Sequence, residues 1–154
     1  MENTLAQVSV IQGFGMMAGP VRGDLLVPMI ATKDIGAAAA EALVKLDFSG
    51  KQTRELLGQR DITYTEAAKI IGDAVGKKGL AYVRLPDDQV AQALMSLGLS
   101  SNFAALIVEM AGAMNSGRVQ ALEVRSPKNT TPTSFETFVQ EVFAPAYKGQ
   151  AASA

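Results

Sequence analysis

The chain has 154 residues and a formal charge of −1, from 14 basic and 15 acidic side chains, and only 19% of its residues are charged. No basic field argues for nucleic acid, and a surface this lean in charge suits contact with another subunit, domain or ligand. Neither Cys nor His occurs, which excludes disulfides, thiolate nucleophiles, histidine metal ligands and any Ser-His-Asp triad.

From the N-terminus, the first stretch to interpret is "VSVIQGFGMMAG" at 8–19. Its Gly13, Gly15 and Gly19 have the look of a dinucleotide loop. Such a loop needs a buried strand before the glycines and a helix N-terminus directly after them, whose amides hold the phosphates. Here "PVRGDLLVP" follows Gly19, with Pro20, Gly23 and Pro28 breaking any helix. "MENTLAQVSVIQ" reads equally as a helix with Leu5, Val8 and Ile11 on one side. The expectation is an irregular connection and no phosphate cradle.

Next, "KDIGAAAAEALVKL" predicts a helix with Asp34 as its cap and an apolar face of Ile35, Ala38, Ala39, Ala42, Leu43 and Leu46. Thr63 and Glu66 form a capping box that opens a helix through Ala67, Ile70, Ile71, Ala74 and Val75, with Gly76 as its stop. Asp87 or Asp88 caps a helix with Val90, Ala93, Leu94 and Leu97 pointing inward and Gly98 at its end. Ser100 or Ser101 caps the next, striped by Phe103, Leu106, Ile107, Met110 and Met114. Thr133 and Glu136 repeat the capping box before Phe135, Phe138, Val139, Val142 and Phe143, and Pro145 is expected to close that helix. Strand-like pieces lie at 27–32, 53–58, 80–86 and 118–124. Helices alternating with strands predict an α/β fold of about five helices and a few short strands.

No apolar run approaches the ~20 residues of a membrane-spanning helix. The start, "MENTLAQVSV", lacks the basic and apolar regions of a signal peptide, so the expected location is cytoplasmic, with no membrane partner. Tyr64 and Lys69 are too far apart for a Y-x-x-x-K pair, and Tyr82 has no lysine at that spacing. No catalytic residue is assigned, and no metal site.

The order of "IATKDIGAAAAEAL", "RELLGQRDITYTEAAKIIGDAVGKKGLAYVRLPDDQV", "EMAGAMNSGRV" and "RSPKNTTPTSFETFVQEVFAPAY" resembles the C-terminal half of the NmrA-like family. These are atypical short-chain dehydrogenase/reductases, and the likeness is to their NAD(P)H-dependent quinone or azo-reductase-like branch. It implies that 1–148 form the family's substrate lobe, with 149–154 a disordered tail. The family's glycine-rich phosphate loop has no match here, so the resemblance implies NAD(P)H for the parent family and no cofactor bound by this chain alone. It also implies that Asn3 lies near the cofactor's reactive end, and that the loop carrying Phe14, Met16 and Met17 faces the substrate. Phe103, Met110 and Met114 are further pocket candidates, since a ring and flexible thioethers suit a flat apolar ligand. Three readings remain open. The chain is the lobe of an NAD(P)H-binding oxidoreductase or redox-sensing regulator, inactive alone and completed by a missing N-terminal Rossmann half; or it is a homodimeric interaction module using its Ala-rich face; or it is a stand-alone binder of small apolar ligands.

Overall fold

A computed structural model describes residues 1–149; of the tail expected at 149–154, all but Gly149 lies outside the described residues. A single-turn helix at Glu2–Ala6 runs into α1 (Gln7–Phe14), followed by β1 (Met17–Gly19), α2 (Thr32–Lys45), α3 (Tyr64–Val75) and β2 (Tyr82–Arg84). Then come α4 (Asp87–Ser96), α5 (Ser101–Asn115), α6 (Phe135–Phe138) and α7 (Ala144–Tyr147), with a π-turn at Val139–Phe143 joining the last two. The fold is a partial α/β arrangement, in which β1 and β2 pair in parallel with Met17 opposite Tyr82.

The core gathers α1, α3 and the α6–α7 segment on the short sheet. Ile11, Met17, Ile62, Ile71, Phe138, Val139 and Phe143 are its most enclosed side chains. Thr63 caps α3 as expected, its hydroxyl accepting from the Glu66 amide, and Gly76 ends the helix at φ +76°. Ser100 caps α5 by accepting from the Phe103 amide.

The other caps differ from expectation. Asp34 is not the cap of α2: it sits inside the first turn, and its buried carboxylate accepts from the Thr133 amide at 2.9 Å and the Thr133 hydroxyl at 2.7 Å. The exposed end of α2 is served instead by Glu2, which accepts from the Thr32 amide at 3.0 Å. With its hydroxyl taken, Thr133 does not cap α6; Ser134 does, accepting from the Thr137 amide. Pro86 is the residue before α4, and Asp87 and Asp88 lie in the first turn, where their charge favours the helix N-terminus. Pro145 does not close its helix. The chain widens so that the Ala144 amide bonds the Val139 carbonyl, five residues back, and this turn accommodates a proline that lacks an N–H.

Three expected strands are not ladders. Val27 makes one antiparallel bridge to Ile62, and the Met29 amide turns back onto the Val27 carbonyl, which breaks extension. Leu57 makes one parallel bridge to Thr130. In 118–124, the amides of Leu122 and Glu123 are taken by the Glu55 carboxylate and so have no strand partner. Only 80–86 contains a strand, β2.

The expected apolar face of α2 is open to solvent: Ile35, Leu43 and Leu46 are exposed, and Asp34 is the buried residue of the helix. The stripe on α5 is rotated relative to expectation. Ala104 and Ala111 face inward, Ile107 is half-buried, and Phe103, Leu106 and Met110 are exposed.

Candidate functional site: an uncharged cavity beside the short sheet

The glycines at 13–19 have local structural duties. α1 ends at Gly15 in the left-handed region (φ +68°), which only glycine enters freely. At Gly19 a β-carbon would stand 2.9 Å from the Tyr82 hydroxyl oxygen, so glycine leaves room for that ring. The elements run helix, turn, strand, the reverse of a dinucleotide loop, and the next helix after Gly19 starts at Thr32. The glycines are therefore not followed by the helix N-terminus that a dinucleotide loop requires, and α4, whose start lies near Gly19 through the Leu85–Gly19 bond, carries Asp87 and Asp88 in its first turn, which would repel a diphosphate.

What these residues do instead is wall a cavity of about 550 Å³. One wall is α1 with β1, contributing Val10, Phe14, Met16 and Met17; the other is α4, contributing Val90, Ala93, Leu94 and Leu97. The α4 stripe expected to pack inward thus faces this space, and Leu97 stays largely exposed. Ile107 of α5 also lines it. None of the described residues lining the cavity carries a charge; its polar groups come from Asn3, Thr4, Gln7, Gln89, Tyr64, Tyr82 and the backbone.

Several of those polar groups are already engaged. The Gln7 amide donates to the Ala18 carbonyl and accepts from the Ala18 amide, each at 3.0 Å. Ala18 points away from β2, so one side chain satisfies the outer edge of β1. Tyr82 stacks on Tyr64 with ring centroids 5.1 Å apart, and its hydroxyl donates to the Val21 carbonyl at 2.8 Å. Burial pushes the phenols of both Tyr64 and Tyr82 up from their ordinary value, and the neighbouring Tyr64 adds to the rise at Tyr82. Both are neutral hydrogen-bonding groups at physiological pH, and neither is poised as a base.

Of the residues singled out from sequence, Asn3, Phe14, Met16 and Met17 come together on this cavity. Phe103 and Met110 are exposed on the outer side of α5. Met114 lines a separate cleft of mixed polarity with Leu25, Glu55 and Arg125. Sequence reasoning did not assign Tyr64, Tyr82, Leu85 or Gln89 to the site. The parallel register that puts Tyr82 opposite Met17 is a long-range pairing without a local signal.

No family model matches the chain. Among curated proteins it is 27% identical over 132 residues to prestalk A differentiation protein A of Dictyostelium discoideum, covering 84% of this chain and 43% of that protein. It is 28% identical over 120 residues to agroclavine dehydrogenase of Claviceps fusiformis, covering 77% of this chain and 41% of the enzyme. The chain thus spans less than half the length of these relatives. Among solved structures, the NADPH-dependent quinone oxidoreductase of Escherichia coli in complex with NADPH superposes with a TM-score of 0.73 at 25% identity, over 92% of this chain and 50% of that one. The Citrobacter sp. triphenylmethane reductase complexed with NADP(H) gives 0.64 at 19% identity, over 90% of this chain and 47% of that one, and adds likeness of fold alone. In fold and sequence the chain resembles the NAD(P)H-dependent reductases of the NmrA-like, atypical short-chain dehydrogenase/reductase kind. Within that architecture it corresponds to the C-terminal lobe.

Proposed function

We propose that the chain is the substrate lobe of an NAD(P)H-dependent reductase and that its cavity receives a flat, uncharged, largely apolar ring system such as a quinone. The observation that carries this reading is a 550 Å³ cavity without a charged lining residue, walled by Met16, Met17, Leu94 and the stacked tyrosines. An ionised ligand entering it would lose water without gaining a counter-charge, whereas a neutral ring gains apolar contact and hydrogen bonds from Asn3 or Gln89. In this reading the dinucleotide's diphosphate is gripped by a Rossmann half outside this sequence. This chain's residues bind and orient the substrate ring and exclude water from it, and the chain alone transfers no hydride.

The test uses tyrosine emission, which is unmasked because the chain has no Trp. Two of its three tyrosines line the cavity. A naphthoquinone titrated into the chain is expected to quench that emission saturably, with a Kd of roughly 1–100 μM, while NADPH fluorescence shows no saturable change. A flat quinone response, or micromolar NADPH binding, overturns the reading.

A second reading rests on α2. Its exposed Ile35, Leu43 and Leu46 present an apolar face on a helix that pairing with a second copy would cover. Light scattering is expected to give the mass of a dimer at high protein concentration; a stable monomer there excludes this reading.

A further inference from the structure

Two large apolar side chains stand at the mouth of the cavity and are largely in water: Phe14 is 76% and Leu97 80% exposed. One exposed Leu or Phe on a surface carries no message. These two are distinguished by position. Phe14 is the last residue of α1, and Leu97 follows the last residue of α4. Each is followed at once by a glycine in the left-handed region, Gly15 at φ +68° and Gly98 at φ +89°. Each therefore sits where its helix stops, at the edge of the cavity that it helps to line.

The anchoring of the α4–α5 pair gives these positions a mechanical meaning. The pair is pinned at its base. The Asn115 side chain donates to the Pro20 carbonyl at 3.0 Å and accepts from the Arg22 amide at 2.7 Å, and the Leu85 amide bonds the Gly19 carbonyl at 2.9 Å. Leu97 lies at the opposite end, in the connection between the two helices, and Leu97, Gly98, Leu99 and Ser100 are all exposed.

Resting on the proposal that the cavity takes a flat uncharged ring, we infer that Phe14 and Leu97 are its lips: they close over the ring and bury their own apolar surface against it. The tip of the α4–α5 pair moves towards the end of α1 when the ring is bound.

The test combines affinity and distance. Phe14→Ala and Leu97→Ala are each expected to weaken naphthoquinone binding about five- to tenfold. Because both side chains are already exposed in the free chain, the urea midpoint should stay where it is. The absence of native cysteine permits a clean spin-label pair at Gly13→Cys and Ser96→Cys, both exposed positions; a β-carbon at Gly13 meets nothing within 4 Å. The label separation is expected to shorten on adding naphthoquinone. If the unsubstituted chain binds but both alanine variants bind equally well, or the separation does not change, the lips are refuted and the cavity reading stands. If the unsubstituted chain shows no saturable quenching, the cavity reading itself has failed and the lips fail with it.

Discussion

Gly58→Ala is expected to cost about 4 kcal/mol of folding stability, a large part of what a domain of this size possesses. A β-carbon at Gly58 would stand 1.8 Å from the Met29 carbonyl oxygen and 2.5 Å from its carbon, so backbone has to move. The segments that would move are tied on both sides. The Gly58 amide reaches the Pro28 carbonyl, the Leu57 amide bonds the Asn129 carbonyl at 2.7 Å, and Thr131 returns a bond to Leu57 at 2.9 Å. Arg125 also donates to the Gly58 carbonyl while pairing with Asp61. Urea unfolding followed by far-ultraviolet circular dichroism measures the effect. Gly13→Ala is the control: it lies in α1 with open space around it and is expected to gain about 0.5–1 kcal/mol. Equal midpoints for the two variants would contradict the close crossing of residues 28–30 and 57–58.

The second large effect concerns Asp34. Asp34→Ala is expected to lose about 3 kcal/mol, because it leaves the amide and hydroxyl of buried Thr133 without their charged acceptor. For a chain of this length that lowers the thermal midpoint by roughly 6–12 °C. Asp34→Asn keeps the shape and one acceptor oxygen and should lose about half as much. Scanning calorimetry on both variants checks the order. An Asp34→Ala midpoint unchanged from the parent would mean that this contact contributes nothing.

The Asp34–Thr133 contact also shows what the sequence can and cannot reveal. Both residues have the chemistry and the local spacing of helix caps, and both are drawn away from capping by each other across 99 positions of chain. Where no distant partner intervenes, the local signal holds: the Thr63 hydroxyl, Gly76 and Ser100 do what their neighbourhoods dictate, while the Glu66 carboxylate, expected to complete the box, pairs with Arg60 instead. The strands follow the same division. A three-residue β1 has no periodicity to detect, and its partner lies at 82–84. The stretches at 53–58 and 118–124 have strand composition but spend their backbone bonds on single bridges and the Glu55 carboxylate. The candidate site divides likewise. The Phe14–Met17 loop could be found because residues adjacent in sequence supply it, and the Tyr64–Tyr82 stack could not, because the fold assembles it. The α5 stripe misled because helix–helix packing there uses small alanines and leaves the large side chains outside.

The bond between Gln7 and Ala18 carries a consequence for how the molecule behaves in company. A two-stranded sheet ordinarily offers its neighbours a row of free amides and carbonyls, the template on which fibrils grow. Here the outward-facing amide and carbonyl of Ala18 are already occupied by a side chain of the same molecule. That margin of the sheet is terminated chemically, at the cost of one glutamine, and a stray polypeptide finds nothing on it to extend.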